Sequence, residues 1–114
     1  MTRIGDKAIK ALRETKAKQW RGKLQYDGCY CAMGVLCLAY EAETGKELCR
    51  LNTGRGPELA GSAVHLYDEV IQHYGLTKRG VRSIEVRNDT NGLSFVEIAK
   101  VMEENRENFF YEGC

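Results

Sequence analysis

The sequence predicts an α+β fold, mainly helical, with about four helices and a small antiparallel hairpin, in one domain spanning residues 1–114. Three observations carry this. Apolar residues recur at helical spacing in four separate stretches. Asp27-Gly28 stands between two short alternating segments, the signature of a hairpin turn. The chain has 114 residues, 43% of them hydrophobic, enough to bury a core without staples.

The elements follow in order. Residues 6–17 place Ala8, Ala11 and Leu12 on one helical face, with Asp6 as the expected N-cap. Residues 23–31 read as the hairpin, Leu24 and Tyr26 alternating before the turn and Cys29-Tyr30-Cys31 returning. Residues 32–43 are apolar around most of a helix, which marks the central buried element, and Gly45 is its expected stop. Residues 46–62 carry Gly54, Gly56, Pro57 and Gly61 and read as a loop, either a connector or an arginine-bearing lid.

Residues 63–74 form a helix with Val64, Tyr67, Ile71 and Tyr74 in one stripe, Ser62 as cap and Gly75 as stop. His73 at the stripe's edge reads as a packed histidine. Residues 83–87 alternate Ile84 and Val86 with polar neighbours and predict a short strand. The bend Asn88-Asp89-Thr90-Asn91-Gly92 follows. Ser94 and Glu97 form a capping box for a last helix that turns Phe95, Ile98, Ala99 and Met102 inward. The apolar tail Phe109-Phe110-Tyr111 either docks on the core or enters a partner chain; the partner interface is the expectation.

The five cysteines are odd in number and follow an N-terminus without an apolar leader, which predicts reduced thiols and a cytoplasmic protein. Their spacing, C-x-C-x₅-C-x₁₁-C, lacks the paired intervals of a structural zinc site, so no metal and no cofactor is expected. No stretch is long and apolar enough for a membrane span. The net charge is +1, unevenly distributed: residues 1–25 hold eight basic and two acidic residues, leaving −5 for the remainder. A basic head and an acidic tail suit an anionic partner or a second copy of the chain, so a homo-oligomer is expected.

The chemistry-bearing candidates fall in two places. Lys18, Trp20, Arg21 and Lys23 interleave cations with the only tryptophan, and that pattern pairs phosphate and stacks a base. Trp20 covering the core is the competing reading. The second place is the bend, where Arg87, Asn88, Asp89 and Asn91 offer groups for a sugar or base edge. Asn and Asp bonding their own turn is the competing reading there. No phosphate loop is present, and the Cys and His spacings single out no nucleophile and base. No catalytic residue is expected, and the chain is read as a binding protein.

Three segments carry a resemblance. Residues 11–24, from Ala11-Leu12-Arg13 through Lys18-Gln19-Trp20-Arg21-Gly22-Lys23-Leu24, resemble an "ALRSG-x-YKQG-x-GxL" opening. Cys29-Tyr30-Cys31-Ala32-Met33-Gly34-Val35-Leu36-Cys37 resembles "FCCLGVLC". Asn88-Asp89-Thr90-Asn91-Gly92-Leu93-Ser94-Phe95-Val96-Glu97-Ile98-Ala99 resembles "LNDxGxSFxEIAxxIE". In this order they look like a family of small proteins carried by tailed bacteriophages and prophages. Arg87 departs from the pattern's leucine, and the bend is longer.

The resemblance implies an accessory protein acting in the cytoplasm of an infected bacterium against host machinery. Joined to the two candidate clusters, it predicts a counter-defence protein that sequesters a nucleotide-derived immune signal without catalysis. An inhibitor of a host nuclease or defence complex is the alternative, and a nucleic-acid binder the next.

Overall fold

A computed structural model of the chain describes residues 5–20, 25–26, 29–46, 50–53, 56–59 and 64–111, with side chains for 5–20, 29–46 and 68–111. These form α1 (Asp6–Glu14), β1 (Lys18–Gln19), β2 (Gln25–Tyr26), β3 (Cys29–Tyr30), α2 (Ala32–Thr44), β4 (Arg50–Thr53) and β5 (Gly56–Leu59). Then follow α3 (Val64–His73), α4 (Lys78–Asp89), α5 (Phe95–Glu104) and α6 (Arg106–Phe109). The fold is mostly helical with little sheet, but six helices stand among the described residues where about four were expected.

The first extra helix is α4, which replaces the strand expected over 83–87. Ile84 and Val86 satisfy a period of two, but a longer window settles the matter. Gly80, Val81, Ile84 and Asn88 are buried on one helical face, while Val86 is 41% exposed. Thr77 supplies the start: its Oγ1 accepts from the Gly80 N–H at 2.9 Å. The second extra helix is the single turn α6, which breaks from α5 at Asn105.

The cap expected of Asp6 is also displaced. Gly5 occupies the N-cap with φ +90°. Asp6 lies in the first turn and accepts from Arg106 Nη2 at 2.6 Å. The expected signals hold at α5, where Ser94 Oγ accepts from the Glu97 N–H and Glu97 Oε1 accepts from the Ser94 N–H. They hold also at Gly45, whose N–H donates to Glu41 O at 2.9 Å. α2 starts on a less usual cap: Cys31 Sγ accepts from the Gly34 N–H at 3.4 Å.

The small sheet is mixed, a correction to the purely antiparallel expectation. Its order is β1-β3-β2, with β2 antiparallel and β1 parallel to β3. β1 follows α1 after Thr15, which is extended, and pairs with β3 on the side away from β2. Within 46–62, read as a loop, β4 and β5 pair antiparallel from Arg50↔Leu59 to Thr53↔Gly56. Pro57 is tolerated because it sits in a two-stranded ribbon with a free edge. Gly54, Arg55 and Gly61 lie outside the described residues.

One core joins the helices. Ala8, Ile9 and Leu12 of α1 meet Phe95, Ile98, Ala99 and Met102 of α5, and α2 contributes Met33, Leu36, Cys37 and Tyr40. The tail belongs to this core. Phe109 is 1% exposed and Phe110 2%, which corrects their placement in a partner interface. Phe109 O accepts from the Thr77 N–H, the Tyr111 N–H donates to Gly75 O, and Phe110 bridges Leu76. Only Tyr111 faces outward. No described helix is long and apolar enough to cross a membrane.

The charge asymmetry is partly resolved inside the molecule. Lys7 bonds Glu43, Arg13 bonds Glu103, and Arg106 bonds Asp6. Two cations of the basic head thus meet carboxylates of the acidic remainder, so less of that charge is left for a partner or a second copy.

Candidate functional site

The two expected clusters lie together, joined by Asn88. Its carboxamide makes every hydrogen bond open to it. Oδ1 accepts from Gln19 Nε2 at 2.7 Å and from the Ala32 N–H at 3.1 Å. Nδ2 donates to Trp20 O at 2.8 Å and to Asp89 Oδ1 at 2.8 Å. The reverse orientation would set the NH₂ group against the Ala32 N–H, so the network fixes the amide. Asn88 is 1% exposed, the only buried polar or charged residue among those described. It is therefore a structural hub linking α4, the start of α2 and the Trp20 strand, which corrects its reading as a ligand group. Neither does it hold a turn; it lies in the last turn of α4.

Sequence reasoning passed over Gln19. Its Nε2 also donates to Leu93 O at 2.6 Å, tying β1 to the segment before α5. A polar residue between two lysines gives no signal of such a role. The Trp20 N–H donates to Tyr30 O at 2.7 Å. The Trp20 backbone is thus held at both its N–H and its C=O, yet the residue is 41% exposed. The expectation of a presented indole and the competing one of a core cover meet here: the backbone is anchored and the residue remains accessible. Lys18, two residues earlier in β1, is exposed as well. The side chains of Arg21 and Lys23 lie outside the described residues.

The α4 side of this face is acidic. Asp89 shares the Asn88 amide with Trp20 O. Burial, then the Asp89 charge, raises the Glu85 carboxyl above its usual range. Arg87 does not join the face as a free cation. Its Nη1 donates to Ser83 Oγ, and its guanidinium lies 5.9 Å from the centre of the Phe109 ring. Asn91 is exposed beyond the end of the helix. Of the expected ligand group, the structure brings together Trp20, Asn88 and Asp89.

The thiols show no activated member among the residues whose shift is resolved. Burial pushes Cys31 up to about 11, against the pull of its bonds to the Gly34 and Met33 backbone. Cys29 is also a free thiol. His73 packs edge-on between the Tyr40 and Tyr74 rings, with Nε2 3.2 Å from Glu43 Oε2. It has no described cysteine or serine partner.

No family model, curated protein or solved structure matches the chain.

Proposed function

We propose that this chain is a non-catalytic binding protein of the phage counter-defence kind, and that it sequesters a nucleotide-derived signal on the Trp20 face. One observation carries the reading: the only tryptophan stands accessible directly after β1, with its own backbone N–H and C=O both hydrogen-bonded. A rigid aromatic surface stacks a base without first ordering its own backbone. Lys18, with Arg21 and Lys23 nearby in sequence, supplies cations for phosphate. Asp89 supplies acceptors for sugar hydroxyls, and Asn88 positions the platform instead of touching the ligand.

Calorimetry with cyclic oligonucleotides and cyclic ADP-ribose isomers, read beside Trp20 fluorescence, tests this. Saturable heat with quenching is expected from at least one ligand, and unaltered ligand after incubation. No heat from any of them removes the reading. A stoichiometric protein captured from infected lysate would then favour the inhibitor of a host complex.

A further inference from the structure

The segment from α3 to α4 has the build of a helix-turn-helix unit. α3 ends at His73, four residues intervene, and α4 starts at Lys78, which is the spacing of that motif. Gly75 takes φ +68° in the turn, a conformation open to glycine. The Leu76 N–H donates to Ile71 O at 3.0 Å and the Gly75 N–H to Gln72 O at 3.1 Å, which closes α3. Leu76 is buried with Val70, Tyr74, Val81 and Ile84. α2 packs against both helices, whereas α3 and α4 make little contact with each other among the described residues. The two therefore diverge from the turn instead of lying side by side.

Such a unit presents the outer face of its second helix. α4 turns Gly80, Val81, Ile84 and Asn88 inward. Arg79, Arg82 and Val86, at i, i+3 and i+7, share the opposite face and are exposed. Neither arginine has a hydrogen bond or ion pair among the described residues. The carboxylates of α4, Glu85 and Asp89, follow the flank of Lys78 toward the C-terminal end, and Lys78 shares a hollow with Asp68 of α3. The cationic surface is thus the outer face of the first two turns, with an apolar side chain one turn on. The DNA major groove, about 12 Å wide, admits a helix, and the N-terminal half of that helix meets the bases. Arginine pairs with guanine O6 and N7, and an apolar side chain meets the thymine methyl. An acidic protein would pair the arginines, but it accounts for neither the divergent helix pair nor the valine in line with them.

We propose that the α3–α4 unit docks on double-stranded DNA, with α4 in the major groove, Arg79 and Arg82 at base edges and Val86 against a thymine methyl. This surface is separate from the Trp20 face. Asn88, which holds the Trp20 backbone, lies in the last turn of α4 and on its buried side.

Fluorescence anisotropy of the full chain with a labelled mixed-sequence duplex tests the docking. Saturable binding is expected at about 50 mM salt, weakening at least about tenfold by about 200 mM as two or more phosphate contacts are screened. Arg79→Gln with Arg82→Gln lowers duplex affinity at least about tenfold and leaves the melting temperature unchanged. Lys10→Gln with Lys16→Gln removes the same charge from α1 and keeps affinity within about threefold, the effect of net charge alone. Selection from a random duplex library is expected to enrich a guanine-containing site, and Arg82→Gln to relax one position of it. Trp20→Ala leaves duplex affinity unchanged, so this surface and the nucleotide reading fail separately. No duplex binding at the lower salt overturns the proposal, as does unaltered affinity in the α4 double variant, an equal loss in the α1 pair, or a library that enriches nothing. Single-stranded DNA bound as tightly as duplex overturns it too, by moving the nucleic acid to Trp20. A protein captured through Arg79 and Arg82 without duplex binding gives the face to an acidic partner instead.

Discussion

The side-chain amide of Asn88 donates to the backbone carbonyl of Trp20 at 2.8 Å, across 68 positions of sequence. Through that bond the end of α4 sets the position of the strand that presents the indole. Asn88→Ala leaves the Ala32 N–H at the head of α2 and the Trp20 carbonyl without their Asn88 partner, and the Gln19 amide with Leu93 O alone. We expect a loss of about 3 kcal/mol, the sum of two or more buried polar groups losing a partner. Urea unfolding measures it, and a red shift of Trp20 emission in the native baseline reports the loosened strand. A change under 1 kcal/mol would refute the hub.

The approach of the tail to α4 leaves no room for a side chain at Gly80. A Cβ there would meet Phe109 O at 2.4 Å and Phe109 Cα at 2.7 Å, both main-chain atoms that cannot swing aside. Gly80→Ala costs about 3 kcal/mol by overpacking, although alanine is the better helix former. Phe109→Ala costs about 4 kcal/mol as a large buried aromatic lost. Tyr111→Ala, at 53% exposure, costs under about 1 kcal/mol. Thermal melts of the three variants give the ranking. Tyr111→Ala as the most damaging would return the tail to a partner interface.

What was legible in the sequence follows from how local each signal is. The capping box at Ser94 and the inward set Phe95, Ile98, Ala99 and Met102 are read within nine residues, and they stand as expected. The strand over 83–87 fails because Ile84 and Val86 fit both periods over five residues. The helix is decided by Thr77 upstream and by the burial of Asn88 downstream. Asn88 itself was found as a residue of consequence, but its role was inverted, because its partners lie on Gln19, Trp20 and Ala32, far away in the chain. The tail shows the same limit. Phe109 and Phe110 are plainly apolar, but Gly5 and Gly80, which make room for them, are reached only through the fold: the Phe110 ring leaves 2.5 Å for a Cβ at Gly5.

Two carboxylates respond to pH in opposite senses. Lys7 first and His73 second hold Glu43 below its ordinary value of 4.5. Its contribution to stability is present above 4.5 and is lost as the pH falls toward the lowered folded value. Glu85 is raised, by burial and then by Asp89. The native state favours its protonated form, so it costs stability as the pH rises above 4.5. Glu85→Gln therefore stabilises at pH 7 by a few tenths of a kcal/mol, the scale left after solvent screening. Glu43→Gln removes part of the acid limb. Melting temperatures from pH 3 to pH 8 check both signs, and a Glu85→Gln variant less stable at pH 7 contradicts the assignment.

The cysteines separate by environment. Burial holds the Cys31 thiol near 11, so at pH 8 about one part in a thousand is thiolate, the reactive form. Cys37 is 1% exposed and is shielded sterically, whereas Cys29 is only partly covered. Brief alkylation with iodoacetamide at pH 8, followed by peptide mapping, is expected to label Cys29 before Cys31 and Cys37, which are spared until urea is added. Cys31→Ser tests the cap separately. Serine offers a better acceptor to the Gly34 N–H than sulfur at 3.4 Å, but a smaller atom in a buried place. The two effects oppose each other, and stability stays within about 1 kcal/mol of the parent. Rapid labelling of Cys31 in the native protein would show that the start of α2 opens on its own. The Asn88 bond to the Ala32 N–H would then not hold that end of the helix shut.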